Sequence, residues 1–179
     1  YRRLMDKKKV ASEGHTLTGS ATSLICNRLS YFFDLKGPSA AIDTACSSSL
    51  IAINRAVKSI RNGDCEMALA GGTNLILLPE SNLGLNQSGM LSPDGRCKSF
   101  DSQANGYVRG EGIGLLLLKP LSKAIAEGDA IYGSIIGTAE NHGGRVHSLT
   151  APSPQAQSEL LVSAHRDAGV DPKTITYIE

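Results

Sequence analysis

Between positions 20 and 35 the apolar residues fall at Leu24, Ile25, Leu29, Phe32 and Phe33, close to helical spacing, and Gly37-Pro38 closes the stretch. The short apolar run at 40–44 leads straight into a second periodic segment, a pattern that predicts a buried strand feeding a helix. In that helix Cys46, Leu50, Ile53, Val57 and Ile60 recur at spacings of 4, 3, 4 and 3. Asn54, Arg55, Lys58, Arg61 and Asn62 are assigned to the opposite, wet face, and Gly63 stands where a left-handed C-terminal cap belongs.

Residues 65–78 (CEMALAGGTNLILL) are apolar and short-sided around Gly71 and Gly72, which predicts an inner strand or strand pair with a close backbone approach. The texture then changes: residues 79–103 are polar and turn-rich, with SPDG at 92–95, and predict a long functional connection. Strand character returns over 107–119, followed by a short helix over 121–127 and another strand over 131–139. A second long loop covers 141–153, and a helix over 155–168 is closed by Gly169 and Pro172. The alternating run at 174–179 reads as a final strand cut at its last residue. Helices and strands alternate, so the fold class is α/β with sheets covered by helices. The chain does not begin with Met and stops within that strand, so residues 1–179 are expected to be one partial domain, truncated at both ends.

Charge removes several classes of function. Eighteen Lys and Arg face 17 Asp and Glu, a formal charge of +1, which gives no footprint for nucleic acid or an anionic membrane. With 41% hydrophobic and 20% charged residues the chain is globular. No stretch approaches the roughly 18 to 20 apolar residues of a membrane span, and the opening YRRLMDKKK has no apolar run behind its arginines, so a cytoplasmic address is expected. Four cysteines, Cys26, Cys46, Cys65 and Cys97, are too sparse and too widely spaced for a disulfide framework or a zinc site, and no metal is expected.

One of the four has a distinctive setting. The segment DTACSSSL at 43–50 puts Cys46 between the apolar run and the first turn of the amphipathic helix. Unsatisfied N–H groups and the helix dipole favour thiolate over thiol at such a place, and Ala45, Ser47 and Ser48 keep a sharp turn passable and leave room for an acyl group. The mechanics resemble a nucleophile elbow. The competing reading makes Cys46 one more small buried hydrophobe, the commonest fate of a free cysteine. Cys26, Cys65 and Cys97 take that second reading, since none opens a helix after a strand.

At these residues the sequence resembles the β-ketoacyl synthase (ketosynthase) domain of type I modular polyketide synthases. GPS at 37–39 followed by DTACSSSL matches the family's active-site motif, and AGGTN at 70–74, LSPDGRCKSFD at 91–101, GYVRGEG at 106–112 and LTAP at 149–152 follow in family order. The likeness runs from about Gly14 to Glu179. ENHGG at 140–144 and SLTAPSP at 148–154 resemble ketosynthases whose acyltransferase is a separate protein.

The resemblance implies a thiolase-like fold, here partial, and a two-stage Claisen condensation. A growing acyl chain passes from the phosphopantetheine thioester of an acyl carrier protein to Cys46, and the carbanion of a decarboxylated malonyl-type extender then attacks the acyl-cysteine carbonyl. No cofactor binds directly, and the implied partners are the acyl carrier protein and a second copy of the domain. The enolate needs hydrogen-bond donors, which the family supplies from two histidines. The first lies in an AHGTGT motif expected to start right after Glu179, so His15, His142, His147 and His165 match neither. His142 and His147 lie on a Gly-rich loop and the other two are read as surface or loop residues.

Met90 and Thr150, on the two long connections, are expected to line the acyl pocket, one as a flexible apolar and one as a polar wall. RGEGIG at 109–114 is not a dinucleotide fingerprint, because its glycines precede the apolar run instead of opening a helix, and an Arg109–Glu111 brace is expected instead. Asp101 and Glu140 need no acid/base role. Three rivals remain: a ketosynthase that translocates chains without condensing, a non-catalytic domain used for dimerisation or docking, and a cysteine hydrolase. The last lacks a histidine with a motif to pair with Cys46.

Overall fold

The structure, a computed structural model, describes residues 2–9 and 13–179. Among them the elements run α1 (Arg2–Lys7), α2 (Thr16–Ser20), α3 (Leu24–Phe32), α4 (Ser48–Asn62), β1 (Ala68–Asn74), α5 (Glu80–Gln87), β2 (Gly112–Leu118), α6 (Leu121–Glu127) and α7 (Pro154–Ala168). Single 3-10 turns stand at Ala45–Ser47 and Pro172–Thr174. Contacts separate two compact units. One runs as far as Leu35 and resumes as Gly72–Leu115, and the other is Lys36–Gly71 with Leu116–Glu179. β1 and β2 pair with each other, and the division between units runs through both strands.

Helices form where periodicity and a stop signal agree. Gly63 and Gly169 adopt φ of 80° and 63° and end α4 and α7, donating back to the carbonyls of the last turn, which a residue with a Cβ would do only under strain. At the other end of α7, Ser153 Oγ accepts the Ala156 N–H and Pro154 fills the first helical position, where a missing N–H is harmless.

The strand expectations fare worse. Residues 40–44, 131–139 and 175–179 carry no ladder, so the strand expected to feed the Cys46 helix is a loop, and the segment 79–103 contains α5 instead of running as a pure connection. A strand is stabilised by hydrogen bonds to a neighbour, and among the described residues only β1 and β2 supply these to each other over a full strand length.

In the unit built on Gly72–Leu115, Lys7 Nζ holds Glu80 at 3.0 Å and Arg109 Nη1 donates to Ser81 Oγ and Asn82 Oδ1 at 2.7 and 2.6 Å, pinning the first turn of α5. Glu111 accepts the N–H of Ile76. Arg109 and Glu111 thus brace two different segments, which corrects the expected Arg109–Glu111 brace. Leu91 and Tyr107 form a parallel bridge, at which Gly106, with φ 130°, passes so close that a Cβ would stand 2.5 Å from the Leu91 carbonyl carbon. The stripe expected of α3 forms but is exposed: Phe32 is 78% accessible and packs edge-on against Phe33 with centroids 5.0 Å apart.

The other unit contains every buried residue among those described: Asn54 and Val57 of α4, Ala70 of β1 and Ala124 of α6. No helix of the described residues is long and apolar enough to cross a membrane.

Candidate active site

The junction ahead of α4 is a knot of small polar residues. Asp43 Oδ1 accepts the Ala45 N–H at 3.2 Å, Ser48 Oγ accepts the Thr44 N–H at 2.9 Å and donates to the Ala45 carbonyl at 2.7 Å, and Ser47 Oγ donates to the Thr44 carbonyl at 3.0 Å. These bonds hold Ala45 at φ 57°, a left-handed conformation that costs an L-residue about 1–2 kcal/mol. The chain therefore turns sharply one residue before Cys46, in a 3-10 turn instead of the expected strand end, and Cys46 is exposed. The serines do more than leave space, because hydroxyls that bond to nearby backbone favour this kind of turn over continuous helix.

The same unit holds a cavity of about 470 Å³ bordered by Thr44 and Ser47, which flank Cys46, by His142, Leu149 and Thr150 of the following loop, and by Gln157 of α7. Thr150 thus lies on the same cavity as Thr44 and Ser47, two residues before and one after Cys46. Met90 belongs to the other unit, where its carbonyl accepts the Tyr107 N–H at 3.1 Å and its side chain is half exposed.

Farther along α4 the expected two-faced pattern is corrected. Asn54, assigned from its polarity to the wet face, is only 2% exposed: its amide donates to Glu140 Oε2 at 2.7 Å and its carbonyl accepts Thr138 Oγ1–H at 2.7 Å. Lys58 stands 3.8 Å from the same glutamate. Arg61 donates twice to Asp167 of α7, at 2.9 and 3.1 Å, and once to the Ile136 carbonyl at 3.1 Å. The Thr138 N–H, and then Arg61, hold the Asp167 carboxyl below its usual range. Gly137 completes the contact, since a Cβ there would lie 2.6 Å from Ala168 Cβ. Together these groups fasten residues 136–140, and so the start of the loop carrying His142 and Thr150, to α4 and α7.

The sequence reading missed this network, although a signal existed. Positions 50, 54, 57 and 61 follow i, i+4, i+7, i+11 spacing, so Asn54 and Arg61 share a face with Leu50 and Val57. Glu140 is engaged here, and Asp101 Oδ1 accepts the Gln103 N–H at 2.8 Å, so neither is a spare carboxylate. Cys97 accepts the Val108 N–H at 3.2 Å, Cys26 donates to the Ser23 carbonyl, and Cys65 is half-buried beside Gly37.

Residues 1–124 match the family model described as beta-ketoacyl synthase, N-terminal domain, and residues 132–179 match the one described as beta-ketoacyl synthase, C-terminal domain. The match begins at residue 1, ahead of the expected Gly14. Polyketide synthase PksN of Bacillus subtilis (strain 168) is 52% identical over the whole chain, and polyketide synthase ThaG of Burkholderia thailandensis is 48% identical. The chain spans about 3% of the length of each. Among solved structures, the ketosynthase from module 6 of the bacillaene synthase of Bacillus subtilis 168 superposes with a TM-score of 0.87 at 45% identity, covering 95% of this chain and 31% of that one. The oxazolomycin ketosynthase domain OzmH KS7 of Streptomyces albus JA3453 gives 0.82 at 48% identity, covering 86% of this chain and 27% of that one.

Proposed function

Because this chain belongs to the β-ketoacyl synthase family and has its thiolase-like α/β fold, we propose that it is one part of a longer ketosynthase domain of a modular polyketide synthase, with Cys46 as its acyl acceptor. The observation that carries the reading is the exposed Cys46 on a sharply turned junction whose flanking residues border a cavity. The low coverage of ketosynthase chains of known structure and the exposed aromatic residues of α3 support a larger domain that covers these surfaces.

In the first stage the Cys46 sulfur attacks the thioester carbonyl of an acyl chain on the phosphopantetheine of an acyl carrier protein. The new C–S bond forms as the pantetheine C–S bond breaks, and the pantetheine thiolate leaves and takes up a proton. In the second stage a malonyl-type extender on a carrier protein loses carbon dioxide, its carbanion bonds to the acyl carbon, and Cys46 leaves as thiolate. The hydrogen-bond donors to the enolate come from outside residues 1–179, and a second copy of the domain completes a homodimer. Substrates arrive on the carrier, with no cofactor bound directly. Thr150, and in the full domain Met90, line the acyl pocket.

The test is carbon dioxide release from malonyl carrier protein by the parent protein given an acyl donor. Turnover that requires Cys46 supports the reading. Acyl transfer to Cys46 without carbon dioxide release would assign a chain-translocating domain, and neither event would reject both. Residues 1–179 alone are expected to give no turnover, because each missing electrostatic donor lowers the rate on the order of 10² to 10³.

A further inference from the structure

The loop after Glu140 is tied down at both ends. Asn141 Nδ2 donates to the Ala156 carbonyl at 2.7 Å, and Ser153 Oγ caps the first turn of α7. Between these ties the Gly144 N–H donates to His142 Nδ1 at 2.9 Å. A nitrogen that accepts a hydrogen bond is bare, so the single proton of the neutral imidazole sits on Nε2, and His142 presents a fixed donor. His142 borders the cavity shared with Thr44 and Ser47, as do Thr150 and Gln157, whose side chains make no hydrogen bond to another described residue. His142, Thr150 and Gln157 are all exposed on this cavity, so an oxygen on an acyl chain lying there can exchange a hydrogen bond with them that a saturated chain cannot.

Resting on the assignment of Cys46 as acyl acceptor, we propose that His142 is a specificity-determining residue whose Nε2–H recognises an oxygen on the acyl chain. The site would then favour hydroxyl- or carbonyl-bearing acyl groups over saturated ones of equal length. The hydrogen bond to Gly144 positions the ring, and Thr150 and Gln157 supply further polar partners.

The experiment compares acylation of Cys46 in the parent protein by 3-hydroxybutyryl and butyryl thioesters of N-acetylcysteamine, followed by protein mass. The unsubstituted enzyme is expected to prefer the hydroxylated donor on the order of tenfold, the worth of one hydrogen bond exchanged against water. H142L should lose that preference, so that the two donors acylate Cys46 at similar rates. Two further variants separate recognition from loop architecture. H142Q, whose amide reaches about as far as Nε2, should keep the preference, whereas H142N, which can still accept from Gly144 but reaches less far, should lose it. Equal slowing with both donors, or rescue by H142N and not H142Q, would overturn the proposal. Acylation without any preference in the unsubstituted enzyme would also overturn it and leave the role of Cys46 standing, whereas no acylation by either donor would remove that role too.

Discussion

The two ends of α4 are held by opposite means. At its start a cluster of hydroxyls and a carboxylate bends the backbone through a left-handed alanine and leaves Cys46 exposed, with Leu50 71% accessible one turn later. From Asn54 onward the helix is fastened, with Asn54 and Val57 buried and Arg61 forked onto Asp167. Strain and exposure are concentrated where the proposed nucleophile would meet its substrate, and satisfied burial where the helix must stay put. On the proposed role of Cys46, one helix serves as both a reactive tip and a rigid mount, and the mount also carries the loop that walls the cavity.

The sharpest way to break this contrast is to exchange the tip. Cys46→Ser should abolish acyl transfer, because an unactivated hydroxyl has a far higher pKa than a thiol, while the unfolding midpoint stays put. Acyl-enzyme mass and thermal unfolding report the two effects, and a large drop in midpoint would mean that Cys46 is structural. Asn54→Leu is the converse change. It leaves Glu140 and Thr138 without their shared partner and should destabilise the protein by about 1–3 kcal/mol in urea unfolding. A variant as stable as the original would show that the mount does not depend on this network. Gly63→Ala, at φ 80°, should cost about 1 kcal/mol by placing a Cβ in the left-handed region. The smallest effect belongs to pH. Asp167 is held below the ordinary value of 3.8, so its contribution is complete above that value and disappears as pH falls through the lower folded value. Asp167→Asn should flatten the loss of stability below about pH 4, and an unchanged acid limb would contradict the assignment.

What the sequence discloses follows the range of the interactions concerned. The C-terminal ends of α4, α6 and α7 are legible because periodicity and glycine caps are local, whereas the junction at Cys46 turns out as a 3-10 turn ahead of α4. The strands expected at 40–44 and 131–139 were not reliable, since pairing depends on a partner far along the chain. Asn54 reads as solvent-facing on polarity alone, whereas its angle on the helix sets it beside Val57. α5 was overlooked because ESNLGLNQ has little helical signal, and its first turn is pinned by Arg109 and Lys7, both distant in sequence. The cavity wall was half visible: Thr150 was singled out on the length of its loop, whereas the tie between His142 and Gly144 required coordinates.

The most direct test of the central claim maps the adduct formed when the parent protein is incubated with an acyl thioester. Peptide mass spectrometry should place a single acyl group on the peptide containing Cys46, with none on the peptides of Cys26, Cys65 or Cys97, and no adduct should form in Cys46→Ala. An acyl group that persists in Cys46→Ala, or that sits on another cysteine, would contradict the account.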